Sequence, residues 1–148
     1  MLWIDADAAV VDLSLDIADQ LRRRDLMAMT AHCTPEGIDP IPNCGVWLLR
    51  AEPAIDKLLA DVWASTTRLH HKWWENAAVL DQLGHELDPQ VRLAAPTRLH
   101  RRTRMLSHDW NSIPADPSPT PRIVHFPGMP LDDRRCGLGT ALTDLGLD

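Results

Sequence analysis

Leu2-Trp3-Ile4-Asp5-Ala6-Asp7-Ala8-Ala9-Val10-Val11 is the stretch on which the fold turns. The run Leu2 to Ile4 reads as a short buried strand, and Ala8 to Val11 as a second small apolar segment. Between them the acidic pair marks the point where the strand breaks into a turn, so an irregular backbone is expected at Asp5-Ala6-Asp7.

Working outward, Asp16 is placed to cap a short helix through Ile17, Ala18 and Leu21 that ends in Arg22-Arg23-Arg24, acid first and bases last as the helix dipole favours. Leu26-Met27-Ala28-Met29 reads as a strand, and residues 34–42, with three prolines and a glycine, as a loop. Val46-Trp47-Leu48-Leu49 has strand length and leaves that loop through Asn43-Cys44-Gly45. Pro53 suits a first helical turn, and Ile55, Leu58, Leu59, Val62 and Trp63 recur at the spacing of one helix face. A second helix is expected from Trp74 to Gly84, with Ala77, Ala78, Leu80 and Leu83 inward. Weaker strands are expected at 91–95 and 99–106, a last strand at 123–126, and a terminal helix from Leu131. Residues 113–121 carry four prolines and read as a stiff surface loop within the domain. Strands alternating with helices favour the α/β class.

With 148 residues the chain suits one domain, and a formal net charge of -6 argues against a polyphosphate backbone as partner, so no nucleic acid is expected. The cluster Arg98, Arg101, Arg102 and Arg104 reads as a solvated face or strand edge, or as a phosphate or acceptor contact. Cys33, Cys44 and Cys136 are odd in number and lack paired spacing, so neither a disulfide framework nor a zinc site using His32-Cys33 and Cys44 is expected. No run approaches the ~20 apolar residues that span a bilayer, and the acidic pair interrupts any signal-peptide core. A soluble, reducing, cytoplasmic setting is expected.

The acidic pair gains meaning from a distant segment, Ile123-Val124-His125-Phe126-Pro127-Gly128. Hard divalent ions take carboxylate oxygens together with phosphate oxygens and water. Asp5 and Asp7 supply the carboxylates. His125 adds an imidazole, which suits manganese better, with magnesium the alternative. Glu75 follows Trp73 and Trp74 at a helix start; that placement serves the helix dipole, and it also suits a carboxylate that faces an oxocarbenium-like carbon beside sugar-stacking aromatics.

Four ordered segments resemble a known family: Leu2-Trp3-Ile4-Asp5-Ala6-Asp7, Asn43-Cys44-Gly45-Val46-Trp47-Leu48-Leu49-Arg50, Trp73-Trp74-Glu75-Asn76-Ala77-Ala78 and His125-Phe126-Pro127-Gly128. They are similar to the galactosyl, mannosyl and xylosyl transferases, family 34 of the glycosyltransferases. Asp109-Trp110-Asn111-Ser112 matches a shorter fifth segment, so the resemblance runs from residue 2 to about 130.

The resemblance implies a GT-A fold and metal-dependent, retaining transfer of a hexosyl or pentosyl unit from a nucleotide-sugar, most often UDP-linked, to a saccharide or glycoconjugate acceptor. Carried over by residue, Asp5, Asp7 and His125 match the manganese ligands. Glu75 and Asn76 match the pair beside the anomeric carbon. Asn43, Gly45, Asn111 and Gly128 match segments that line the donor and acceptor cleft. Family members place base-binding strands before the D-x-D motif, whereas Asp5 here follows Met1 by four residues. The expectation is therefore a partial, N-terminally truncated transferase domain over residues 1–148: either the start codon is misassigned, the protein is a truncated remnant, or a second chain completes the nucleotide pocket.

Two rivals differ in class. An inactive remnant or partner-binding half would keep the fold without the chemistry. A haloacid-dehalogenase-like phosphatase would use Asp5 as nucleophile and Asp7 as general acid, and would need Lys57 or Lys72 and the pair Asp132-Asp133 at the metal.

Overall fold

The computed structural model describes residues 1–146. The opening apolar run forms β1 (Leu2–Ile4), but as an edge strand whose Leu2 and Trp3 stay 40% and 55% exposed and not as the buried strand expected, and the chain breaks at the acidic pair. The Asp5 carbonyl accepts from the Ala8 N–H at 3.1 Å, closing a turn that hands the chain to β2 (Ala8–Val10). Asp16 caps as its side chain allows, accepting from the Ala18 N–H at 2.8 Å, but the helix it starts is one 3-10 turn, Ile17–Gln20, and does not reach the arginines.

Next come β3 (Met27–His32) and β4 (Ile41–Leu49), both longer than their apolar runs. β4 takes in Pro42 and the whole Asn43-Cys44-Gly45 segment expected to be loop. Helices α1 (Pro53–Ala64) and α2 (Trp74–Leu83) follow. A short hairpin pairs β5 (His85–Glu86) with β6 (Arg92–Leu93), which is less than the strand expected over 91–95. Residues 99–106 split into one helical turn, α3 (Arg98–Arg101), started by the Thr97 side-chain cap, and β7 (Thr103–Leu106). A 3-10 turn at His108–Trp110, β8 (Ile123–His125) and α4 (Leu131–Asp144) complete the order.

The result is a mixed α/β fold. Its main sheet runs β1-β4-β3-β7, antiparallel except for the parallel β3–β7 pair. A separate pair joins β2 to β8 antiparallel, with Ala8 opposite His125.

Side chains alternate faces along a strand, so each central strand feeds two cores. Met27, Met29, Trp47 and Leu49 pack on one face against Ile55, Leu58, Val79 and Leu83 of the helices. Ala28, Val46 and Leu48 pack on the other against Leu106, Trp110 and Ile123. Leu58, Leu80 and Leu83 are almost wholly removed from water, and burial of each contributes roughly 1.5–3 kcal/mol. Trp63 departs from its helical spacing. It is 92% exposed, while its neighbour Val62 packs against the core. Gly84 ends α2 at φ 93°, and a Cβ there would stand 1.9 Å from the Ala95 carbonyl oxygen.

One irregularity positions the site. Met29 pairs with Trp47, yet Thr30 pairs with Asn43, so Cys44, Gly45 and Val46 bulge out of the β3 ladder. Their backbone groups find other partners, as buried polar groups must. The Gly45 carbonyl accepts from the Asp5 N–H at 2.8 Å, and the Cys44 N–H donates to the Asn76 side-chain oxygen at 2.9 Å. The Gly45 N–H donates to the Asn43 side chain at 2.9 Å.

Candidate functional site

The turn after β1 and the end of β8 meet over this bulge. The His125 Nε2 lies 3.3 Å from an Asp7 carboxylate oxygen and 3.7 Å from one of Asp5. One ligand atom from each of the three residues lies within 4.8 Å of the others. Gly45 makes the approach possible, since a Cβ there would stand 2.1 Å from the His125 Cε1.

Each of the three groups is held from behind. The Trp3 indole N–H donates to one Asp5 oxygen at 2.7 Å, leaving the other turned to His125. The His125 Nδ1 pairs with the Asn111 side-chain oxygen at 3.0 Å, and the Asn111 amide donates to Asn43 at 3.0 Å. That amide orientation makes His125 Nδ1 the donor and leaves the Nε2 lone pair facing the two carboxylates. Burial holds the His125 imidazole below the usual histidine range, against the opposing pull of Asp7 and Asp5. Three electron-pair donors therefore converge with no proton between them, an arrangement that a cation relieves. Arg134 of α4 supplies part of that charge from the side, its guanidinium 3.3 Å from the second Asp7 oxygen. Nothing in the sequence pattern marked Arg134.

A cleft of about 460 Å³ opens from this cluster. Asp5, Asp7, His125 and Gly128 line it together with Trp73, Trp74, Glu75 and Asn76 at the start of α2. Gly128, at φ 67°, has open space where a Cβ would be. Trp74 carries φ 41°, a left-handed conformation that costs a non-glycine residue roughly 1–3 kcal/mol, while its ring stays 67% exposed. Strain and an exposed tryptophan at a cleft lip are what a ligand-contacting position looks like.

Two residues take different places from those expected. Asn111 is fully buried, holds the His125 Nδ1 at 3.0 Å and is not among the residues that line the cleft. Asn76 lines the cleft but spends its amide on β4, accepting from the Cys44 N–H and donating to the Pro42 carbonyl at 3.2 Å. It is a positioning residue in this structure. Glu75 beside it is exposed at the cleft wall.

No family model, curated protein or solved structure matches this chain. Three of the four clustered arginines serve the fold: Arg101, Arg102 and Arg104 donate to the carbonyls of Pro96, Arg24 and Gln20, while Arg98 is exposed. Of the groups a phosphatase would need, Lys72 lines the same cleft as the carboxylates but pairs with Glu36 at 3.6 Å. Asp132 is 96% exposed and pairs with Arg135, and Lys57 pairs with Asp61 on α1. Among the described residues no helix is long and apolar enough to cross a membrane.

Proposed function

We propose that the chain is a metal-dependent glycosyltransferase, with a nucleotide-sugar donor, UDP-linked in the first instance, and a saccharide acceptor. The observation that carries this reading is the convergence of Asp5, Asp7 and His125, with the imidazole lone pair turned inward by Asn111, at the mouth of a cleft lined by tryptophans and a carboxylate. The four ordered segments that resemble family 34 all contribute residues to that cleft, and their meeting supports the kinship and a GT-A arrangement.

The donor set fits a hard-to-borderline divalent ion, two carboxylates and one imidazole being better suited to manganese than to magnesium. When bound, the ion would offset the charge growing on the leaving diphosphate. The protein's own groups do the rest. Trp3 and Asn111 hold Asp5 and His125 in their ligating orientations. Arg134, next to Asp7, brings a guanidinium suited to a phosphate oxygen. Glu75 offers a carboxylate for the positive charge that develops at an anomeric carbon, and Trp73 and Trp74 offer faces on which a sugar ring packs. Retention of anomeric configuration belongs to the same proposal.

Calorimetric titration of the purified chain with UDP, with and without manganese, tests the reading. Binding that requires manganese and disappears in Asp7→Ala, with the circular dichroism unchanged, supports it. A folded chain that binds no UDP in either condition overturns it and favours a partner-binding remnant.

A further inference from the structure

A second group of ligating side chains gathers at the far end of β3, outside the Asp5–Asp7–His125 cluster. His32 closes β3, His108 opens the 3-10 turn after β7, and Asp116 lies in the proline-rich segment 113–121. The Nδ1 atoms of both histidines lie 3.4 Å from Asp116, each opposite a different carboxylate oxygen. One atom from each of the three lies within 4.8 Å of the others.

His32 is the independent sign of a ligand. It is 2% exposed, and neither ring nitrogen has a hydrogen-bond partner among the described residues. A buried polar group left in that state costs about 1–3 kcal/mol. The two other residues are oriented as metal ligands usually are. The His108 Nε2 meets the Ala31 carbonyl at 3.0 Å, so it carries the proton and Nδ1 presents its lone pair to Asp116. Asp116 is fixed by the Cys33 N–H, which donates to its carboxylate at 3.0 Å, and by its own N–H on the Ile113 carbonyl at 3.0 Å.

We propose that His32, His108 and Asp116 form a second metal site, for a divalent ion of the zinc class, which fastens the proline-rich segment to the end of β3. Two imidazoles and one carboxylate are a borderline donor set that favours zinc over the harder ions suited to Asp5 and Asp7. Bonds of 2.0–2.1 Å in a tetrahedron put ligand atoms about 3.4 Å apart; each histidine Nδ1 stands that far from its own Asp116 oxygen, so the carboxylate has only to turn or to chelate to serve both. Three protein ligands leave the fourth position to water or another ligand. His32, Ile113 and Ala115 also line the 460 Å³ cleft, so the ion would stiffen one of its walls.

The test uses the full chain, stripped with a chelator and then titrated with zinc, with cobalt as a spectroscopic stand-in whose visible bands report tetrahedral nitrogen and oxygen ligation. The Asp7→Ala chain is titrated in parallel, because it disables the other cluster. The expected result is one zinc bound by the Asp7→Ala chain, with affinity lowered at least tenfold when His108→Ala or Asp116→Asn is added to it. Zinc should also slow proteolytic cleavage within residues 113–121. Both substitutions fall on partly exposed side chains, and circular dichroism verifies that each variant is folded. A folded wild-type chain that binds no zinc overturns the proposal. So does zinc binding that Asp7→Ala abolishes while His108→Ala and Asp116→Asn leave it intact.

Discussion

The Nδ1 of His125 and the side-chain oxygen of Asn111 stand 3.0 Å apart, both residues almost wholly buried. This contact selects the imidazole tautomer and so decides whether the cluster can ligate. Removing it in Asn111→Ala should weaken manganese binding by about 10–100-fold, the usual cost of losing an outer partner of a metal-bound histidine. The same change should lower unfolding stability by about 1–3 kcal/mol through unpaired buried groups. Manganese titration and urea melts measure the two separately; an unchanged manganese affinity would remove Asn111 from the site.

Gly45 is the second control point. An added methyl group would overlap the His125 ring, 2.1 Å from Cε1 and 2.7 Å from Nδ1. Gly45→Ala should therefore displace the imidazole, with a strain cost of about 1–3 kcal/mol and loss of manganese-dependent ligand binding. A crystal structure of the variant with His125 undisturbed would contradict this account.

Asn76 separates positioning from catalysis. Its amide holds the Cys44 N–H and the Pro42 carbonyl, so Asn76→Ala should cost about 1–3 kcal/mol in the ligand-free chain. Asn76→Asp keeps the acceptor for Cys44 and should recover part of that loss. If ligand-free stability is unchanged in both variants while ligand affinity falls, Asn76 acts on the ligand directly.

Stability should also follow histidine protonation. Burial holds His32, His85, His100 and His125 below the ordinary value of 6.5, His32 at about 4. In that range the unfolded chain binds more protons than the folded one, so stability rises with pH. The contribution is complete above about pH 7, declines as pH falls through 6.5 toward 4, and levels off once the folded groups also protonate. Urea midpoints of the chelator-treated chain across this range should show the slope, and His85→Leu should flatten it. An identical slope in that variant would assign the effect to other groups.

Much of the architecture is local and so could be read along the chain. The continuous apolar runs Leu26 to Met29 and Val46 to Leu49 and the helical spacing from Ile55 to Val62 mark elements that bury their side chains, whereas the run before Asp5 marks a strand but not its exposure at the sheet edge. Gly84 and the Thr97 cap are equally local. Trp63 shares the helical spacing yet stays exposed, because spacing marks a face but not which of its residues meet a partner, and the strand break at Arg101 was hidden because a four-residue helix leaves no period to detect.

The candidate ligands Asp5, Asp7 and His125 were legible as residue types and as ordered segments, since metal chemistry demands those donors. That they meet was decided by tertiary structure. It depended on a three-residue bulge in β4, on a missing Cβ at Gly45, and on a hydrogen-bond chain through Asn111 and Asn43. Arg134 beside Asp7, and the gathering of His32, His108 and Asp116, left no mark in the sequence. Ligand spacing along a chain announces a site only when one local segment supplies the ligands. Here β3, the turn after β7 and the proline-rich segment each supply one, and only the packing that joins β3 to β7 brings them within reach.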